Sequence, residues 1–336
     1  MASETGIEWT DVTWNPVVGC TPVSSGCLNC YAARMSRRLE AMGKPEYQPR
    51  HVLAVLGTPY DPHEPAKVTR IAEVRAGRPV FTGDVRLVPE RLTDPMRWKK
   101  PRRVFVNSMS DLFHEAVPFE FIDRVFAVMA LCPQHTFQVL TKRPERMAEY
   151  LAQVPVAHLQ DTDDRSLGGF RWEGGRQFPE WPLRNVQLGT SVENQQAADE
   201  RIPHLLACPA AVRFLSLEPL LGLVDLHTVP WKHGGMAAKG WSGVLPVAEE
   251  PDDYVYWEQK GAIGWLIIGG ESGPGARCHA EYEARARSII QQAAEASVPA
   301  FHKQMPIWTG KKWRVSHDPS EWPADMRVRQ WPGGVA

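Results

Sequence analysis

Six short apolar runs, each breaking off into polar or glycine residues, constrain this chain more than any other feature. Arg103-Val104-Phe105-Val106 leads into Asn107-Ser108-Met109-Ser110-Asp111, and Phe137-Gln138-Val139-Leu140 into Thr141-Lys142-Arg143. Val186-Gln187-Leu188 leads into Gly189-Thr190-Ser191-Val192-Glu193-Asn194, and Val212-Arg213-Phe214-Leu215 into Ser216-Leu217-Glu218-Pro219. Trp265-Leu266-Ile267-Ile268 leads into Gly269-Gly270-Glu271-Ser272-Gly273, and the weaker Val298-Pro299-Ala300-Phe301 into His302-Lys303-Gln304. The runs have strand length and mostly lack polar alternation, the mark of parallel strands buried on both faces. Between them, Phe119–Leu131 spaces Ile122, Val125, Phe126 and Met129 as one helical face, between Pro118 and Pro133; Gln195–Ala207 and Glu281–Ala296 also read as helices. Strands alternating with helices predict an α/β fold with a parallel sheet. A first strand near Asp11–Val17 brings the count to about seven. A partial or nearly closed (β/α) barrel fits, with a doubly wound sheet as the alternative. In both, function gathers at the carboxyl ends of the strands, where every polar burst falls.

The 336 residues suffice for one large domain, expected over 1–336. Three stretches interrupt the rhythm as long loop insertions, about 43–79, 160–182 and 227–261, and a C-terminal extension is expected over about 306–336. The insertions are rich in Pro, Gly, Trp and charge, which suits lids or binding loops. A formal net charge of −1 provides no global field toward nucleic acid or membrane. No apolar run reaches the length of a membrane span, and Met1–Gly6 lacks the character of a signal peptide. The chain therefore reads as cytoplasmic, with reduced thiols.

Three of the six cysteines lie within eleven residues, as Cys20-x6-Cys27-x2-Cys30, on a loop marked by Gly19, Pro22 and Gly26 and turning helical after Tyr31. Three thiolates on one loop wrap a soft metal centre. Structural zinc takes four protein ligands, and no fourth Cys or His is near in sequence. A 4Fe-4S cluster held by three cysteines keeps one iron open, the iron on which radical S-adenosylmethionine (SAM) enzymes bind SAM. The alternatives are zinc completed by a distant ligand such as His114 or Cys278, a cluster serving only structure or electron transfer, and incidental cysteines.

Ile7-Glu8-Trp9-Thr10, Thr13-Trp14-Asn15-Pro16, Gly19-Cys20-Thr21, Gly26-Cys27-x2-Cys30-Tyr31-Ala32, Leu217-Glu218-Pro219-Leu220 and Gly269-Gly270-Glu271-Ser272-Gly273 together resemble a phage-type three-Cys-motif family. The resemblance spans most of the chain. It implies a radical-SAM-like barrel related at a distance to spore photoproduct lyase, a DNA repair enzyme, and no settled substrate.

On that footing the strand ends are candidate SAM contacts. The second strand of such barrels often ends in Gly-Gly-Glu for the SAM amino group; this chain departs from that and offers Ser108 or Asp111 instead. Asp111 also suits a helix cap. Tyr31 follows the last cysteine. Ser191, Glu193 and Asn194 suit ribose hydroxyls, with capping of the next helix as the other reading of Glu193 and Asn194. Glu218 is expected as an active-site carboxylate. Gly269, Gly270 and Glu271 form a loop whose amides approach an anion or adenine. Lys142, with Arg143, suits the SAM carboxylate or a substrate phosphate. Cys278 is a candidate hydrogen-atom donor. The basic, Trp-bearing runs Arg97–Arg103, Lys311-Lys312-Trp313-Arg314 and Arg327–Trp331 suit nucleic-acid contact or a solvated face. The function expected is reductive cleavage of SAM to a 5′-deoxyadenosyl radical acting on a substrate, with nucleotide or nucleic acid preferred over a peptide or partner protein. A flavodoxin- or ferredoxin-type protein would supply the electron. The rival reading is a nucleic-acid-binding or phage accessory protein with zinc or a structural cluster and no SAM cleavage.

Overall fold

The computed structural model describes residues 5–52, 67–153, 181–229, 232–233, 236–237, 263–277 and 280–333. Its frame is an eight-stranded, mostly parallel sheet in strict chain order. The strands are β1 (Val12–Trp14), β2 (Arg103–Val106), β3 (Thr136–Thr141), β4 (Val186–Ser191), β5 (Val212–Leu217), β6 (Trp265–Gly269), β7 (Ala300–Trp308) and β8 (Trp313–Ser316). β1 to β7 pair in parallel, while β8 turns back antiparallel on β7. The eighth strand is absent from the sequence reading, and β7 runs through Trp308, so the expected extension begins inside a strand.

Helices α1 (Tyr31–Ala41), α2 (Phe119–Leu131), α3 (Pro144–Gln153), α4 (Gln195–Ala207) and α5 (Tyr282–Glu295) fill the connections. α2 buries Ile122, Val125, Phe126 and Met129, the face its spacing predicts. The expected insertion at 43–79 contributes two antiparallel strand pairs, Arg50–Val52 with Lys67–Thr69 and Ala72–Arg75 with Arg78–Phe81. Most of the insertions at 160–182 and 227–261 lies outside the described residues, as does Cys278.

The sheet has two apolar faces. One packs against the helices and takes in Cys132 and Cys208. The other gathers Trp9, Phe105, Phe214, Trp265, Ile267 and Phe301, from before β1 and from β2, β5, β6 and β7. Trp9 touches Phe105 of β2 at 4.7 Å and Trp265 of β6 at 6.1 Å between ring centroids, so the sheet curls around it. Among the described residues β1 and β7 do not pair. The C-terminal segment joins the two sides instead. Residues 328–330 hydrogen-bond along the start of β7, Trp331 donates to the Trp9 carbonyl, and Arg329 and His317 pair with Glu8. Trp9, Trp14, Trp265 and Trp322 are buried core. Among the described residues no helix is long and apolar enough to cross a membrane.

His302 lies fully buried between Tyr282 and Trp322, its Nδ1 on the Met326 carbonyl at 2.8 Å and its Nε2 on the Tyr282 hydroxyl at 3.0 Å. Burial holds its pKa down from 6.5 to about 4. The unfolded chain thus binds a proton that the folded one refuses, and stability falls as pH drops from 6.5 toward 4. The loss from this residue reaches up to about 3 kcal/mol. Urea unfolding at pH 7 and pH 4.5 checks it, with His302→Gln flattening the dependence relative to the parent chain.

Candidate active site

The cysteine loop lies across the carboxyl ends of the parallel strands. It enters from Val17–Val18, which pairs antiparallel with Arg86–Leu87. Gly19 follows at φ +91°, where an added Cβ would sit 2.0 Å from the Asp84 carbonyl oxygen, so only glycine fits. Cys27 closes a short helical turn, and Cys30 stands at the N-terminus of α1. All three cysteines line one cavity, with Tyr31, Ser108, Asp111, Lys142, Arg143 and Ser191. A second cavity shares Cys30, Tyr31, Lys142 and Ser191 and continues to Glu218, Glu271 and Lys303. Eight of the residues singled out from sequence therefore meet the three cysteines along one cleft or at its edge.

The buried Asp111 carboxylate organises one end. Oδ1 accepts from Phe113 N at 3.0 Å and the Thr141 hydroxyl at 2.7 Å; Oδ2 accepts from Lys142 N at 3.1 Å and Arg143 Nη1 at 3.2 Å. Its lone pairs are taken within the protein, so it positions β2 and β3 and is not free for a ligand ammonium. Arg143 also pairs with Glu115 and donates to the Thr21 carbonyl and to Cys20 Sγ at 3.8 Å. Burial pushes the Cys20 thiol up to about 12; Asp111 adds to this and Arg143 opposes it. Burial likewise raises Cys30, against the pull of the Ala33 amide and Lys142. Without a metal these two thiols stay protonated at neutral pH, so loading releases protons.

The loop's other side is fastened by the glycine-rich segment after β6. Glu271 accepts from Asn29 Nδ2 at 2.7 Å and from Arg277 at both backbone and guanidinium. Arg277 Nη2 reaches the Ser25 carbonyl at 2.9 Å, and Arg34 of α1 donates to the Ser272 and Pro274 carbonyls. Gly273, at φ +91°, leaves no room for a Cβ beneath that guanidinium. Burial would raise Glu271, but the Arg277 hydrogen bonds win and its pKa is lowered. Gly269 and Gly270 are held in the sheet, the Gly270 amide on the Gln304 carbonyl and its own carbonyl on Gln304 Nε2. The segment expected to cradle a nucleotide thus has a latch role of its own.

Glu193 sits beneath the loop, paired with Arg201 at 2.8 Å and close against Gly26. Burial acts to raise its pKa, and the Ser24 hydroxyl and Arg201 outweigh that. Asn194 caps α4, its Oδ1 accepting from Ala197 N at 2.9 Å. Ser108 donates to Asn15 Oδ1, and its carbonyl takes the Tyr31 hydroxyl at 2.6 Å. Glu218 holds Lys303 at 2.7 Å and Gln304 at 2.9 Å on one oxygen. Lys142 has no ion pair or side-chain hydrogen bond among the described residues. His114 is no metal ligand: Ala116 N donates to its Nδ1, leaving Nε2–H for the Thr21 hydroxyl, while burial lowers its pKa. Among the described residues no three His, Cys, Asp or Glu converge as they would around one ion.

Asn29, Arg34 and Arg201 were not among the sequence candidates. Asn29 and Arg34 meet partners some 240 positions away, a separation no local pattern signals.

A family model for a protein of unknown function, DUF5131, matches residues 4–330. The chain belongs to the DUF5131 family. No curated protein matches it. Among solved structures this DUF5131 chain is similar to a cysteine-to-serine mutant of spore photoproduct lyase, at 12% identity and a TM-score of 0.35, covering 97% of this chain and 75% of that one. It is also similar to spore photoproduct lyase complexed with dinucleoside spore photoproduct, at 10% identity and a TM-score of 0.36 over the same shares.

The latch has a measurable consequence. Glu271→Ala removes the carboxylate that Asn29 and Arg277 share, leaving them only the Gly275 and Ser25 carbonyls, and is expected to cost about 3 kcal/mol. Limited trypsin digestion of the variant should cut at Arg34 or Arg37 well before the parent chain is cut. Unchanged digestion would mean that the cysteine loop is held by other contacts.

Proposed function

We propose that this DUF5131 protein is a radical SAM enzyme: Cys20, Cys27 and Cys30 hold a 4Fe-4S cluster at the mouth of a partial (β/α) barrel, and SAM binds the open iron. The observation that carries the reading is the gathering of the three thiols around one cavity at the carboxyl ends of parallel strands, with His114 engaged elsewhere. The bound pair supplies reductive cleavage of SAM to a 5′-deoxyadenosyl radical. The chain's residues bind, orient and shield. Lys142, whose ammonium pairs with no described residue, meets the SAM carboxylate. Tyr31, fixed through its hydroxyl, and Ser191 wall the join between the two cavities. Glu218 is the active-site carboxylate, paired with Lys303. Asp111 acts through Arg143, as a positioning residue. An acidic flavodoxin- or ferredoxin-type protein would deliver the electron.

Anaerobic reconstitution tests this. About four iron and four sulfide per chain are expected, with 5′-deoxyadenosine formed after dithionite and SAM. Cys20→Ala, Cys27→Ala and Cys30→Ala should each lose the cluster, and Cys132→Ala, in the core, should keep it. Zinc alone, or a cluster that never cleaves SAM, would sink the proposal.

Arg143 sets a second expectation. Its N–H on Cys20 Sγ places positive charge beside a cluster ligand, which raises reduction potential. Arg143→Met should lower the midpoint, read by redox titration with electron paramagnetic resonance, by on the order of tens of millivolts. Arg143→Lys should recover part of it.

A further inference from the structure

The hairpin of β7 and β8 does more than edge the sheet. β7 pairs with β6 only as far as Gly269 opposite Gln304. From Met305 onward it pairs with β8 alone. Four residues therefore carry the hairpin about 13 Å past the carboxyl edge of the parallel sheet, on the side where the cysteine loop lies.

At its tip Trp308 and Trp313 face one another across the two strands, ring centroids 5.5 Å apart. They are 55% and 37% exposed. The turn between them, Thr309-Gly310-Lys311-Lys312, is exposed throughout and carries two cations and no acid. Neither lysine has an ion pair among the described residues, whereas Arg314 is paired with Glu321. A cross-strand Trp pair steadies a hairpin by about 0.2–1 kcal/mol. That accounts for the pairing and leaves unexplained why both rings stand in water beside unpaired lysines. The β8 side of the hairpin adjoins the site: Trp313, Arg314 and His317 border a cavity whose other wall is Ser272, Gly273 and Ala276. That wall belongs to the segment whose Glu271 fastens Asn29 of the cysteine loop.

Exposed aromatic rings beside unpaired cations are what single-stranded nucleic acid uses: bases stack on the rings and phosphates meet the ammonium groups. A duplex hides its base faces and gains nothing from the tryptophans. We propose that the Trp308–Trp313 hairpin tip docks a single-stranded polynucleotide and lays it along the rim toward the cysteine-lined cleft. The proposal rests on the radical reading only for what is done to the strand; the docking itself needs no cluster.

The test uses the full chain as isolated, before any reconstitution, with a fluorescein-labelled oligothymidylate followed by anisotropy and by tryptophan quenching at 50 and 200 mM salt. Lys311→Ala/Lys312→Ala should weaken binding tenfold or more at low salt and reduce the slope of log affinity against log salt by about 1.4, two single-strand phosphates' worth. Trp308→Ala should weaken it fivefold or more, and Trp308→Phe should restore most of that. Lys99→Ala/Lys100→Ala, before β2 at the opposite end of the sheet, should leave it unchanged. No binding by the parent chain, preference for a duplex of the same length, or binding that ignores both tryptophans would overturn the proposal. A chain that binds the oligonucleotide but never assembles a cluster sinks the radical reading and leaves the docking standing. A chain that assembles the cluster without binding does the reverse.

Discussion

Burying a carboxylate costs several kcal/mol unless its lone pairs and charge are matched. Asp111 meets that condition with four donors drawn from the exits of β2 and β3, and much of the site follows from them. The Thr141 hydroxyl and the Lys142 amide fix where β3 stops, so Arg143 leaves the strand at a set angle. Its guanidinium is then spread over Asp111, Glu115, the Thr21 carbonyl and Cys20. The first cysteine is thus tied to the sheet by one buried cation, itself anchored by one buried anion. The last cysteine is tied by the rigid start of α1 and the Tyr31 hydroxyl on β2. Between them, the middle of the loop is held by the Glu271 latch. Three separate anchors on β2, β3 and the exit of β6 make the thiol positions a property of the sheet and not of the loop.

That division explains what could be read from the sequence. Val186-Gln187-Leu188 or Trp265–Ile268 announces a buried strand by composition, and α2 announces its inner face by spacing, because both signals are local. The same locality places the polar bursts at one end of a parallel sheet. It also gathers Ser108, Lys142, Ser191 and Glu218 toward the cysteines before any contact is known. The roles inside that gathering were not legible. Asn194 and Asp111 carry the residue types of ligands and of caps alike, and only the distances to Ala197 N and Phe113 N decide. Glu271 reads as part of a nucleotide loop until Asn29 is found against it. Trp9 and Trp14 lie among Thr, Asp and Asn in sequence, yet both are core: Trp9 fills the face around which the sheet curls, and Trp14 packs on the helix-covered side. α3 and the β8 hairpin escaped because Pro144 opens the one at a strand's end and Gly310 turns the other within what resembles an extension.

The join between β1 and β7 shows how the chain completes its frame. The concave face is filled from both termini, by Trp9 and by Trp331 against Phe301. Arg329 links Glu8 to this seam while lying over the Phe301 and Trp322 rings. Side-chain packing and ion pairs take the place of a strand pair there. A strand pair would fix the two edges in one register; an aromatic and ionic seam fixes them only where its side chains meet.

The seam and the site are coupled through β7. Its first residues, Ala300–His302, carry the C-terminal segment, and His302 is enclosed by Tyr282 and Trp322. Its next residues, Lys303 and Gln304, hold Glu218 and Gly270 at the cleft. Its last residues leave the sheet to form the exposed hairpin. One nine-residue strand thus passes from the packing that completes the fold, past the carboxylate at the cleft, to an exposed tip. Each role is confined to consecutive residues with a different chemical demand: apolar and aromatic along the seam, charged and amide where they hold Glu218 and Gly270, and exposed tryptophan where the strand stands clear of the sheet.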